Sequence, residues 1–153
     1  MTIEHSVITG AGLHEPKGVA SATSGKVYVS NGSGSGAWTL GNTRSVQVEL
    51  DDVSTASDAY VVSPFAGTII KIQSILHSVI TVADSALTSY IGGVAITGGN
   101  WVVAFTGAAA GDVDSATPSA ANTVAIGSKI KITTDGVSTT AARLTIVLTI
   151  QVT

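Results

Sequence analysis

The residues of this chain able to carry chemistry are few: three histidines, a closely spaced aspartate pair, a Gly-Ser tract and two tryptophans. His5, His14 and His77 form neither His-x-His nor His-Glu-x-x-His, so each reads as a surface or interface histidine rather than a metal ligand. Asp112-Val113-Asp114 sets two carboxylates on one side of an extended segment, but the regularly spaced acids of a calcium loop are missing. That pair reads as part of a loop held by Asx-turns; a glycosidase would need a second carboxylate facing it across a cleft. No serine occupies a Gly-x-Ser-x-Gly elbow, and Ser33 and Ser35 in the Gly-Ser tract lack a strand-to-helix setting. Val7-Ile8-Thr9-Gly10-Ala11-Gly12 opens like a dinucleotide-binding turn, but Leu13-His14-Glu15-Pro16 follows where further glycines and a helix are needed. Trp101, in an apolar run, reads as core, and Trp38 as the better docking contact. The expectation is a protein without catalytic residues, metal or cofactor, and not an enzyme.

Composition sets the class. Only 11% of residues are charged, while the 44% that are hydrophobic are mostly Val, Ile and Ala, with 17 glycines between them. Branched residues suit a pleated surface and glycine supplies turns, so strands are favoured. So sparse a charged surface is easier to understand if neighbouring subunits cover part of it. The net charge of −3, without a Lys/Arg cluster, argues against nucleic acid. Cysteine is absent, which removes disulfides and Cys-based zinc sites. There is neither a membrane-length apolar run nor a signal-peptide pattern near Met1, so a soluble, unexported chain without membrane contact is expected.

The elements that would position these residues are strands. From Ala142 to Val152, apolar Leu144, Ile146, Leu148, Ile150 and Val152 alternate with a mostly polar set, the period-two signature of a half-buried strand. Lys26–Ser30 and Ala37–Leu40 flank Asn31-Gly32 and the Gly-Ser tract as a loose hairpin. Ser45–Leu50 alternates again. Tyr60–Val62, Gly67–Val82 with a bend near Ser78, Ala86–Ile91 and Val94–Ile96 around Gly92-Gly93, Trp101–Phe105, Thr123–Ile126 and Lys129–Thr134 follow. Gly98-Gly99 reads as a chain break, and 107–122 as the longest irregular piece. This spacing predicts an all-β, antiparallel β-sandwich, jelly-roll-like, with an extended N-terminal arm and hairpin. The division expected is an arm over 1–45 and a sandwich over 46–153.

Two sets of stretches resemble a known family. Leu13-His14-Glu15-Pro16-Lys17-Gly18-Val19, with Gly25–Val29 and the Gly-Ser tract ending in Ala37-Trp38-Thr39, resembles the N-terminal segment of small structural proteins of tailed bacteriophages and gene-transfer particles. Ser63–Lys71, Ala110–Pro118 and Asn122-Thr123-Val124 resemble parts of their β domain. The resemblance implies a capsid decoration (cement) or head-fibre protein. It would be made in the host cytoplasm and seated on the capsid exterior of the virion. Its partners would be the major capsid protein and copies of itself about a threefold axis. Leu13, His14, Glu15, Pro16, Lys17 and Trp38 are then the expected capsid contacts. The alternative is a tail-fibre or tail-tip β module binding host-surface glycan, marked by an exposed aromatic beside carboxylates; Trp101 near the 107–118 loop is the candidate.

Overall fold

The computed structural model describes residues 26–30, 33, 36–40 and 42–153, and these divide into two compact units, Met1–Gly41 and Asn42–Thr153. Leu13, His14, Glu15, Pro16 and Lys17 lie outside the described residues. In the first unit, β1 (Lys26–Ser30) pairs antiparallel with β2 (Gly36–Leu40), as the alternation predicts. Gly36 is required there: a Cβ would fall 2.3 Å from the Val29 carbonyl oxygen.

The second unit holds β3 (Thr43–Leu50), β4 (Ser57–Val62), β5 (Gly67–Leu76), β6 (Ser85–Ile91), β7 (Val94–Val103), β8 (Val113–Ala116), β9 (Thr123–Val124), β10 (Lys129–Thr134) and β11 (Leu144–Val152). They make two antiparallel sheets, ordered β3-β11-β5-β8 with β9 also on β5, and β4-β10-β6-β7. Only β6 and β7 join as a hairpin within one sheet. Every other step from β3 to β11 crosses between sheets, apart from β8 to β9, so most loops gather at the two ends of the unit. Pairing of β3 begins at Thr43, so residues 43–45 belong to the sheet rather than to what precedes it.

The alternation in β11 reflects its central place, hydrogen-bonded to β3 on one side and β5 on the other. Leu144, Ile146, Leu148 and Ile150 are fully buried, and Val152 is half-buried at the strand's end. Each such side chain contributes about 1.5–3 kcal/mol of transfer free energy. Residues of both sheets share one apolar core, including Ile69, Ile72, Leu87, Ile130 and Ile132, a sandwich-like arrangement. Trp101 on β7 lies in that core at 5% exposure and donates from Nε1 to Ser74 Oγ on β5, 3.0 Å away. One hydrogen bond thus ties one sheet to the other.

Three segments depart from the expected pattern. Gly98-Gly99 does not break the chain: β7 runs through it, with a register shift opposite Thr88 and Tyr90. Gly98 takes φ +70°, and a Cβ on Gly99 would meet Ser89 Oγ at 2.4 Å, so the glycines make a bulge possible. The run predicted over Gly67–Val82 ends at Leu76, where the chain turns toward the other sheet. The piece over 107–122 contains β8, whose short pattern is masked by its Asp and Ser residues; pairing with β5 makes it a strand.

Candidate functional site

Of the six expected capsid contacts, Trp38 alone is described. It stands opposite Tyr28 in the β1–β2 register, the rings 5.4 Å apart and edge to face at 66°. Such a pair stiffens a two-stranded ribbon that has little else to bury. Val27 and Val29 point away from it and are 43% and 49% exposed, a small apolar surface on the hairpin.

Trp101 is not the exposed aromatic that the glycan-binding alternative requires: it is inside the core. The structure instead puts Tyr60 in that position. Tyr60 and Asp58 on β4 face outward two residues apart, and the tyrosine hydroxyl donates to Asp58 Oδ2 at 3.0 Å. Thr133 Oγ1 donates to Asp58 Oδ1 at 2.7 Å, and Lys131 Nζ lies 3.5 Å from Oδ2. These partners, Thr133 first, hold Asp58 below the usual carboxylate range, while the bond to Asp58 raises the Tyr60 phenol. Lys131 also lies 4.5 Å from the Tyr90 ring centroid, and Lys129 5.4 Å from that of Tyr60. Tyr60–Lys131–Tyr90 is therefore a continuous outward row across β4, β10 and β6. Sequence reading missed it because its members lie 30 and 41 residues apart along the chain (90 − 60 and 131 − 90) and only strand pairing aligns them.

His77 lies just beyond β5. Thr145 Oγ1 donates to Glu49 Oε1 at 2.7 Å, so the hydroxyl accepts from His77 Nε2, also 2.7 Å away. The other ring nitrogen then accepts from Arg143 Nη2 at 3.4 Å. A histidine activating a nucleophile would accept the hydroxyl proton; here that proton goes to the carboxylate. The Thr145 bond is the main reason the Glu49 carboxyl is held below its ordinary value.

Eight of the ten acidic residues are described, all but Glu4 and Glu15, and all eight lie at one end of the second unit. Glu49, Asp51 and Asp52 come from the end of β3 and its loop; Asp58, Asp84 and Asp114 from the starts of β4, β6 and β8; Asp112 and Asp135 from the intervening loops. Several hold their own turns. Asp52 accepts from Ser54 N at 2.8 Å and Asp112 from Ala109 N at 2.6 Å, while Asp84 accepts from Phe105 N at 2.9 Å and so ties two loops together. The Ser54 backbone bond leads the causes that lower the Asp52 carboxyl. Asp114 differs: it sits in register with inward Ser74, and burial, then the Asp112 charge, pushes its carboxyl up. A cavity of about 310 Å³ opens at this end, lined by Glu49, Asp51, Asp52, Thr55, Ser57 and Asp58 with Leu50 and Ala59. Among the described residues no three acidic or histidine side chains converge as a metal site.

No family model matches the chain, and no curated protein matches it either.

Proposed function

We propose that this chain is a virion structural protein, a decoration (cement) protein that binds the outside of a phage capsid and stabilises it. The strand order supports the reading at the level of the fold. With β8 and β9 counted together as one broken strand, the second unit has eight strands ordered β3-β11-β5-β8 and β4-β10-β6-β7, an order that supports a jelly-roll reading. Jelly rolls are used in viral capsid and lectin domains, and fold alone does not choose between such uses. The choice rests on the stretches that resemble phage structural proteins, which run from Leu13 into the β domain. The division at Gly41/Asn42 suits a gripping segment and a separate β body. In this reading the N-terminal unit grips the shell through Leu13, His14, Glu15, Pro16, Lys17 and Trp38. Symmetry repeats each weak contact, so attachment is strong although no single contact is.

The second reading, a tail-fibre or tail-tip module for host glycan, draws support from exposed Tyr60 beside Asp58. Cosedimentation with undecorated mature heads of the parent particle, followed by imaging, separates the two. The full chain should bind saturably at symmetry-related shell sites, and a chain beginning at Asn42 should stay folded but not bind. Density confined to tails would overturn the decoration reading in favour of the tail module, and undiminished head binding by the shortened chain would overturn the assignment of the grip to the N-terminal unit.

A further inference from the structure

We infer that the outer face of the β4-β10-β6-β7 sheet docks against the same face of a second copy of this chain, about a twofold axis. This contact stands apart from shell binding and can be tested without a capsid.

The outer rows of the face are complementary along the strands. The rows, two residues or about 6.7 Å apart, run Asp58–Thr133, then Tyr60–Lys131–Tyr90, then Val62–Lys129. A twofold axis lying in the contact plane and crossing the strands at the middle row exchanges the outer rows. Asp58 of one copy then meets the row holding Lys129 of the other, and symmetry makes the pair twice, as an isologous contact requires. One strand spacing, about 4.8 Å, separates β4 from β10, within reach of a lysine side chain. The middle row meets itself, tyrosine against tyrosine, with Lys131, paired to Asp58 of its own chain, opposite Lys131 of the other.

The state of the side chains fits a covered face. Tyr60 is 53% and Val62 59% exposed in the single chain, large apolar surfaces side by side on β4. Lys131 is laid over the Tyr90 ring instead of projecting, which keeps the middle of the face low. The patch spans about 20 Å by 20 Å, four strands by six residues, a footprint on the order of 400 Å² per copy. That is below the roughly 800 Å² per partner of a standard stable complex, so the dimer should be weak, with Kd in the micromolar range.

Sedimentation equilibrium of the full chain from about 1 to 100 µM should show reversible monomer–dimer association. Lys129→Glu and Asp58→Lys should each weaken it by about tenfold or more, through like charges brought together twice. An equimolar mixture of the two variants should recover the original strength, since each reversed charge then meets its opposite. Val62→Asp, which leaves the Asp58 hydrogen bonds in place, should also weaken it. Circular dichroism checks that every variant is folded. A wild-type chain monomeric throughout, association insensitive to all three changes, or no recovery on mixing would each overturn the inference. So would a monomer that binds saccharide and loses that binding on Tyr60→Ala, which would assign the face to a glycan.

Discussion

The hydrogen bond from Trp101 to Ser74 is the sharpest test of how the two sheets face one another. Ser74 is fully buried and Trp101 is 5% exposed, so neither group has water as a substitute partner. Ser74→Ala leaves the indole N–H buried without an acceptor, a loss of about 1–3 kcal/mol. Trp101→Phe removes the donor and part of the ring, leaving a small cavity and an orphaned hydroxyl, again about 1–3 kcal/mol. The double variant has no orphan, so its loss should fall short of the sum by about 1 kcal/mol. Urea unfolding followed by circular dichroism measures all four corners of the cycle. In thermal melts each kcal/mol corresponds to about 4 °C for a domain of this size. Additivity within about 0.3 kcal/mol would mean the two side chains do not interact, and the facing of β5 and β7 described above would be wrong.

Two further perturbations test other parts of the β unit. Gly136 has φ +70°, and a Cβ there would lie 2.0 Å from the Ala56 nitrogen. Gly136→Ala should cost well beyond the 1–2 kcal/mol of a left-handed alanine, whereas Gly92→Ala, at φ +57° with open space around it, should cost only about that; equal losses in melting experiments would refute the close approach of the 51–56 and 135–143 loops. Asp114, whose carboxyl is raised by burial, favours the folded state more when protonated, so its wild-type contribution improves as pH falls through its folded value. Asp114→Asn should therefore stabilise at neutral pH and lose that advantage in acid, and a benefit that grew in acid would contradict the assignment.

The strands themselves were readable from local pattern. Period-two alternation in 144–152, 129–134 and 45–50 reports which face is buried, because successive side chains on a strand point in opposite directions whatever the partner. Gly92-Gly93 marked its hairpin because both residues take positive φ. Sequence misjudged β7 at Gly98-Gly99, where a glycine pair serves equally to end a strand or to bulge one, and the choice lay with Ser89 across the ladder.

Which strand pairs with which was decided by tertiary structure, since pairing joins residues such as Glu49 and Thr145 that are far apart in the chain. That pairing turned an unremarkable Tyr60, Lys131 and Tyr90 into one row, and scattered aspartates into one acidic end. It also placed Trp101 inside the core instead of on a binding surface. The sequence by itself determined the alternation, because each residue's direction depends only on its neighbours. The surface chemistry followed from tertiary structure, because it depends on which strands the loops bring together.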